Sequence, residues 1–440
     1  MLVFKVKYKD QSGPVDLIFP DHSYSYETDS IGASVYSIHV DKSDLVRFIF
    51  DEDEFFIFGG PGDSLTLTDS RYQLLLNPVF TGDRATENNF IILKNQLENE
   101  LTHEEFMALF QSDEKDFIQK LEQMHLQHIS YVQDFQKQNG VFSPEFADII
   151  NIDLRYFIVN MKMEYRDIHR YILKNDSFNV SDTYYSFFQN LNTDSDEKLS
   201  IPNYRKFLVK YLNFRAEEIT DSTQVYLRSA TADAGFNGVE QFFRERKIRN
   251  YLYSKVMEDL LENSYNDAAK LFPQFLQKQK DEKLKMKIKS EYEAIRPLLP
   301  GNPMPEILLK SADGKTVNIS DFKGKVIYID IWATWCGPCM REMPFLETLV
   351  QNYKSDVDVA IISISVDEDE AAWKGFLKSK QGTSSIQLFE QENLNAEWVS
   401  YFRINSIPRF ILVDKNGMIA DATAPAPSAR EITSLINALK

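Results

Sequence analysis

The 440-residue sequence contains only two cysteines and no long apolar run. Two cysteines are too few for the disulfide framework of a small secreted protein, so the fold must depend on packed cores. No stretch of 18 or more consecutive apolar residues occurs, so nothing in the chain as written is expected to span a membrane.

Basic residues are also scarce relative to acidic ones. Lys and Arg total 49 against 66 Asp and Glu, which gives a formal net charge of -17. This balance argues against nucleic acid and anionic membrane surfaces as partners, because both require basic patches. The opening segment MLVFKVKYKDQSG alternates like a strand and lacks the apolar region and cleavage site of a signal peptide. The chain is therefore either cytosolic or the mature part of an exported protein whose signal was replaced by Met1.

Pattern changes along the chain predict a multidomain protein. Residues 1–81 have short apolar runs and turn signals such as FFIFGGPGDSLTLTD, which predict a small all-β domain, a sandwich or a single sheet. Residues 82–295 change to helical periodicity and predict an all-α domain. The proline-rich residues 296–306 are interpreted as a linker. Residues 307–440 alternate strands and helices, which predicts an α/β domain with a mixed central sheet flanked by helices.

Individual elements follow from the same patterns. Apolar stripes predict helices through 117–135 and 154–172, and the middle region has further candidates at 203–213, 238–261, 264–279 and 281–295. The C-terminal region begins with a hairpin around Asp313-Gly314. It continues with strands at 326–332, 358–366, 386–389, 409–414 and 418–422, and with helices at 336–353, 370–379, 392–402 and 428–439.

The two cysteines, Cys336 and Cys339, lie at the start of the predicted helix 336–353. Three residues along a helix correspond to a Cα separation of roughly 5 Å, which suits a disulfide that opens and closes with little movement. Pro338 is tolerated in the first turn. The helix N-terminus favours a thiolate on Cys336, whereas Cys339, one turn further on, is expected to be more buried. These positions predict that Cys336 attacks a partner disulfide and that Cys339 resolves the mixed disulfide.

A carboxylate, Asp330, interrupts the apolar run VIYIDIW six residues before Cys336. Burial should raise the pKa of this acid toward neutrality, which suits a general acid or base serving Cys339. The alternative is an acid at a strand end whose oxygens accept backbone hydrogen bonds.

Pro408, in the segment RINSIPRFILVD, precedes an apolar strand. It is either a proline that starts the strand or a cis residue that turns the backbone toward the cysteines. In the second case the free backbone of Ile407 could pair with an extended substrate segment.

Other readings of the sequence are weaker. A zinc site needs four ligands and a c-type haem site needs a histidine after the second cysteine, and the sequence around the two cysteines meets neither requirement. A structural disulfide that closes a three-residue loop would stabilise the fold little. We therefore expect neither a metal nor an organic cofactor. His125 and His128 lie on one predicted helix but are interpreted as packing residues. The acidic segment 192–200 lacks the glycine and the terminal glutamate of a calcium loop and is interpreted as a loop.

The segment IDIWATWCGPCMREMP resembles the thioredoxin superfamily motif, and the layout of residues 301–440 is similar to TlpA/ResA-like thiol-disulfide oxidoreductases. The resemblance implies a nucleophilic Cys336, a resolving Cys339, a buried acid at Asp330 and a cis-proline at Pro408. It also implies that Trp335, Gly337, Pro338, Ile407 and Pro408 contact the substrate. Arg409 stands where the family usually has threonine, and Gly337 stands where some relatives have glutamate, which bears on substrate preference.

The resemblance implies a protein-disulfide reductase of the bacterial envelope or periplasm, with an upstream thiol as electron donor. The segment FGGPGDSLTLTD is similar to the β domain that precedes thioredoxin modules in many envelope proteins. The export signal, a membrane anchor or a lipid would then belong to a part absent from this chain, and a homodimer is expected to be possible. Two alternatives stay open, which are a peroxiredoxin-like peroxide reductase and a protein- or glycan-binding scaffold with an accessory redox module.

Overall fold

The computed structural model describes residues 2–8, 14–18, 23–27, 33–38, 40–50, 53–69, 79–98, 101–221, 228–379 and 384–440. Parts of the region predicted as a β domain, and Lys380, lie outside these residues. The chain divides into two compact units, which are described separately below. The first comprises Met1–Phe214 and Phe242–Arg249, and the second comprises Arg215–Gln241 and Asn250–Lys440.

The N-terminal region is built of strands, as predicted. They form two sheets with the orders β4-β1-β7-β8 and β3-β2-β5-β6. The strands are β1 (Leu2–Tyr8), β2 (Pro14–Ile18), β3 (Ser23–Glu27), β4 (Ala33–Ile38), β5 (Asp44–Phe50), β6 (Asp53–Gly59), β7 (Ser64–Asp69) and β8 (Val79–Gly82).

The middle of the chain is helical, which agrees with the predicted fold class. Single-turn and two-turn 3₁₀ segments occur at Tyr184–Asn190, Asp196–Lys198 and Arg296–Leu298. The α-helices are α1 (Ala85–Glu98), α2 (His103–Gln111), α3 (Glu114–Asn139), α4 (Pro144–Leu173), α5 (Pro202–Asp221), α6 (Arg228–Phe242), α7 (Arg246–Asn263), α8 (Tyr265–Lys278) and α9 (Glu282–Ile295).

Strands and helices of the first unit share one hydrophobic core. Leu45 and Phe58 of the β3-β2-β5-β6 sheet pack with Phe90 of α1 and Phe146 of α4. The side chain of Asn88 also accepts from the backbone N–H of Phe58 and donates to its carbonyl, both at 2.8 Å. Burial of these aromatic groups removes apolar surface from water and ties the strands to the helices.

The predicted helix 238–261 is wrong as a single element, because α6 and α7 are separated at residues 243–245. Asp194 accepts hydrogen bonds from the backbone N–H groups of Arg244 and Glu245 at 2.7 and 3.1 Å. Asp196 does the same for the N–H of Ile248 at 3.0 Å. The acidic loop 192–200, which has some likeness to a calcium loop, therefore caps the start of α7.

The C-terminal region forms the predicted mixed sheet, with the strand order β10-β9-β13-β12-β11-β14-β15. The central strand β11 is parallel to β12 and antiparallel to β14. The strands are β9 (Leu308–Ser311), β10 (Thr316–Asn318), β11 (Val326–Trp332), β12 (Val359–Ser365), β13 (Ile386–Phe389), β14 (Arg409–Val413) and β15 (Ile419–Asp421). The helices are α10 (Gly337–Tyr353), α11 (Glu370–Lys378), α12 (Glu397–Tyr401) and α13 (Ile432–Ala438), and 3₁₀ turns lie at Ile319–Phe322 and Asn393–Asn395.

Residues 296–306, interpreted from the sequence as a linker, are hydrogen-bonded to the C-terminal hairpin. The N–H of Gly301 donates to the carbonyl of Ile419, and the N–H of Met304 donates to the carbonyl of Gly417, both at 2.9 Å. Helix α8 also contacts this hairpin, because the N–H of Tyr265 donates to Oγ1 of Thr423 at 3.0 Å. In the second unit, helix α8 and the proline-rich segment are thus both hydrogen-bonded to the chain around β15.

Candidate active site

The site is built at the carboxyl end of β11, the central strand of the mixed sheet. All seven residues of β11 are buried, as expected for an interior strand of a sheet that is covered on both faces. The strand ends at Trp332, a short loop follows, and α10 begins at Gly337 with Cys336 as its N-cap. This strand-to-helix turn places the cysteines at the edge of the sheet.

A buried acid that the sequence analysis missed holds this turn. The carboxylate of Asp367, which follows β12, accepts hydrogen bonds from the N–H of Thr334 at 3.0 Å and from its hydroxyl at 2.7 Å. The hydroxyl of Ser365 donates to the same carboxylate at 2.8 Å. Asp367 is only 2% exposed, so these donors replace the water that its charge would otherwise need. The acid therefore fixes the loop that leads to Cys336.

Cys336 and Cys339 form a disulfide with a Cα separation of 5.2 Å, which matches the predicted spacing. Sγ of Cys336 also accepts from the N–H of Cys339 at 3.1 Å. Such an N–H at a helix N-terminus stabilises negative charge, so the reduced pair should carry its thiolate on Cys336. Pro338 lies in the first turn, where its missing N–H is harmless.

The predicted difference in burial between the two cysteines is wrong for this disulfide form. Both side chains are 3% exposed. Cys336 is covered because its Sγ lies 3.7 Å from the carbonyl oxygen of Ile407. Cys336 and Cys339 are therefore distinguished by their positions at the helix terminus and not by exposure.

The Ile407–Pro408 peptide bond is cis, as the second reading of Pro408 predicted. It brings the carbonyl of Ile407 against Cys336 and leaves both residues partly exposed. Trp335 is 62% exposed on the adjoining loop, and Gly337 and Pro338 are also exposed. The residues predicted to contact the substrate thus form an exposed surface beside the disulfide. Their contact with a substrate stays a prediction.

Asp330 is 4% exposed within β11, and burial raises the pKa of its carboxyl to about 7 from an ordinary 3.8. A hydrogen bond with Ser363 opposes this rise in pKa, and the nearby charge of Glu342 adds to it. Glu342 is itself held by the N–H and hydroxyl of Ser428 at 3.0 and 2.9 Å. Asp330 is therefore poised to exchange a proton near neutral pH, and its service to Cys339 stays a prediction.

Neither a metal site nor a membrane-spanning helix occurs among the described residues. These residues contain no group of three His, Cys, Asp or Glu side chains close enough to hold a metal ion. The ring of His128, interpreted above as a packing residue, lies 5.6 Å from the ring of Phe157 between centroids, and burial lowers the pKa of its imidazole. Among these same residues, every helix is too short or too polar to cross a bilayer.

Known proteins are similar to the C-terminal region of the chain, which carries this site. Residues 299–439 match the model of the Redoxin family. ResA, a thiol-disulfide oxidoreductase of Bacillus thuringiensis subsp. konkukian, is 30% identical over 119 residues, which cover 27% of this chain and 66% of that relative. ResA of Bacillus subtilis strain 168 is 25% identical over 140 residues, which cover 32% and 75% of the two chains.

Solved structures match the same region. A crystal structure of a Bacteroides vulgatus protein, provisionally named a thiol-disulfide oxidoreductase, is 38% identical and covers 33% of this chain and 99% of its own, with a TM-score of 0.31. By the family match residues 299–439 are a Redoxin domain, called the redoxin domain below, and the curated relatives that they match are thiol-disulfide oxidoreductases named ResA.

Proposed function

We propose that the protein reduces disulfides of other proteins through the Cys336–Cys339 pair, without a metal or organic cofactor. One observation carries the proposal. Sγ of Cys336 lies at the N-terminus of α10, where it accepts the N–H of Cys339 and lies 3.7 Å from the carbonyl of Ile407. A thiolate is favoured at this position, and the backbone beside it is available to an extended substrate.

The proposed reaction is two successive thiol-disulfide exchanges. The thiolate of Cys336 attacks one sulfur of the substrate disulfide, that bond breaks, and the second substrate sulfur leaves as a thiolate. The thiolate of Cys339 then attacks Sγ of Cys336. The mixed disulfide breaks, the Cys336–Cys339 bond forms, and the first substrate sulfur leaves. Two electrons pass from the dithiol to the substrate, which is released with two thiols.

The proton on Cys339 must leave before this residue can attack. The buried carboxylate of Asp330, with a pKa of about 7, is suited to accept it near neutral pH. The second proton needed by the substrate thiols comes from solvent. An upstream dithiol donor restores the reduced pair by the same exchange in reverse.

The location and partners belong to the same proposal. The resemblance to TlpA/ResA-like proteins supports an envelope or periplasmic location, protein disulfides as substrates and an upstream thiol as donor. The homodimer stays a prediction.

The test is the reduction potential of the pair in the full-length protein, measured by equilibration against a dithiothreitol series. A potential well below about −180 mV, the value of disulfide isomerases, would support a reductase. A potential at or above that value would mean that the protein oxidises or rearranges disulfides. In that case the proposed direction of electron flow would be wrong.

A further inference from the structure

A cavity of about 380 Å³ lies beside the loop that carries Pro408, within the second unit. One wall is formed by the redoxin domain, with Arg403, Ser406 and Arg409. The opposite wall is formed by α7 and α9 of the helical segment 250–295, which lies outside the family match. The volume falls in the range of ligand pockets, about 300–1,000 Å³, so it has room for part of a peptide.

Two of the three acidic residues of the helical wall, Glu258 and Glu291, lie beside lysines. Glu258 forms ion pairs with Lys255 at 2.6 Å and with Lys287 at 2.7 Å. Lys287 also lies 3.8 Å from the carboxylate of Glu291. Glu258, Lys287 and Glu291 therefore hold one another. Glu262, an exposed acid of the same wall, forms no ion pair among the described residues and leaves one negative charge in the cavity lining.

The two arginines of the redoxin wall are not neutralised in this way. The guanidinium of Arg409 donates to the backbone carbonyl of Glu262 at 3.4 Å from both terminal nitrogens and also bonds to Tyr265. Both acceptors are neutral oxygens. The negative end of the α7 helix dipole offsets part of the positive charge of Arg409. In the part of the chain that the structure describes, neither Arg403 nor Arg409 is within ion-pair distance of a carboxylate.

The backbone of Arg403 adds a second observation. Its φ of 52° is in the left-handed region, and its N–H donates to the carbonyl of Ser400 at the end of α12. Glycine is favoured at such a helix end, because other side chains destabilise the left-handed conformation. The sequence nevertheless has a long cationic side chain here, facing the cavity.

The cavity lies within reach of a substrate bound at the cysteines. Ser406 and Arg409 directly flank the cis peptide, and the carbonyl of Ile407 is 3.7 Å from Sγ of Cys336. An extended chain advances about 3.3 Å per residue. A substrate strand paired with Ile407 would therefore carry residues two or three positions from its cysteine into the cavity.

We propose that this cavity is a specificity pocket for a carboxylate side chain of the substrate polypeptide, two or three residues from the cysteine that Cys336 attacks. The inference rests on the proposed function and adds a substrate preference to it. Arg403 and Arg409 bind the carboxylate, and the helical segment closes the opposite side. This preference opposes the net charge of -17 on the whole chain, which repels acidic peptides at long range.

The test uses the reduced full-length protein and two symmetric disulfide dimers of single-cysteine peptides. The peptides differ only in having Glu or Gln two and three residues from the cysteine on both sides. The rate of reduction is followed by chromatography of the released peptide thiol. We expect the acidic dimer to react about fivefold faster than the neutral one, as for a partly exposed ion pair.

The ratio of the two rates should fall to about one in Arg403→Gln and in Arg409→Gln. Arg430→Gln, which removes an exposed arginine of the same unit outside the cavity, serves as the matched control and should keep the wild-type ratio. In Arg403→Glu the preference should reverse toward a dimer with Lys at the same positions. If Arg409→Gln fails to fold, Arg403→Gln and Arg403→Glu still decide the matter.

Two results would overturn the inference alone, since both dimers would still be reduced. One is equal rates for the acidic and neutral dimers with the wild-type protein, and the other is an unchanged ratio in both arginine variants. Failure to reduce either dimer would instead overturn the proposed function, and this inference with it.

Discussion

Replacement of Asp330 by asparagine is expected to stabilise the redoxin domain, and the gain should grow as the pH rises. The pKa of Asp330 is raised to about 7 from 3.8, because its carboxyl is buried in β11. A difference of about three pKa units, at about 1.4 kcal/mol each, means that ionisation of Asp330 lowers the free energy of unfolding by about 4 kcal/mol. The neutral amide of D330N avoids that loss.

The sign follows from where protons are bound. Below pH 3.8 the carboxyl is protonated in the folded and unfolded states, so ionisation has no effect on stability. Between pH 3.8 and about 7 the unfolded state loses its proton first, and stability falls as the pH rises. Above pH 7 the loss is complete. The stabilisation by D330N should therefore be about 2–3 kcal/mol larger at pH 9 than at pH 5.

Tryptophan fluorescence isolates the relevant part of the chain in this assay. All four tryptophans of the sequence lie in the redoxin domain, at Trp332, Trp335, Trp373 and Trp398. Urea unfolding of the oxidised full-length protein would be followed at both pH values for wild type and D330N. Glu306→Gln, at an exposed carboxylate of the same unit, controls for the loss of a surface charge. An equal gain at both pH values, or a loss of stability at pH 9, would refute the reasoning.

Three further predictions concern single residues of the redoxin domain. Cys339→Ser should trap a covalent mixed disulfide with a peptide disulfide, visible by mass spectrometry, whereas Cys336→Ser should trap none; the opposite pattern would exchange the two roles. Asp367→Asn should lower the free energy of unfolding by about 2–3 kcal/mol, because a buried charge that accepts from Thr334 and Ser365 is lost; unchanged urea unfolding would contradict its role in fixing the loop. Tyr328→Phe should lower it by about 1–3 kcal/mol, because the buried hydroxyl donates to the carbonyl of Pro425 at 2.7 Å; equal unfolding midpoints would show that the carbonyl finds another donor.

The sequence predicted the local features of the redox site well. Strand β11, the helix after it and the raised pKa of Asp330 all depend on short stretches of chain with strong patterns. The cis bond before Pro408 was one of two readings of the residues, and the family resemblance implied it. The apolar run and the cysteine spacing each leave few alternatives. These features could therefore be inferred without knowledge of distant contacts.

Features that depend on distant contacts could not be predicted. Asp367 holds the loop before Cys336 from another strand, 33 positions beyond Thr334. The break between α6 and α7 is stabilised by Asp194 and Asp196, and no glycine or proline marks it in the sequence. In each case the decisive hydrogen bond joins segments that are far apart in the sequence, and the periodicity of apolar residues describes only one segment at a time.

The hydrogen bonds between α8 and the C-terminal hairpin bear on how the protein can be divided. Tyr265 donates through its backbone N–H to Thr423, and the amide of Asn266 donates to the carbonyl of Ala420 at 3.1 Å. A fragment begun at the proline-rich segment would lose both donors and uncover the hydroxyl of Thr423, a residue that is 3% exposed in the intact chain. A fragment cut at the limits of the family match would therefore expose surface that is buried in the full chain.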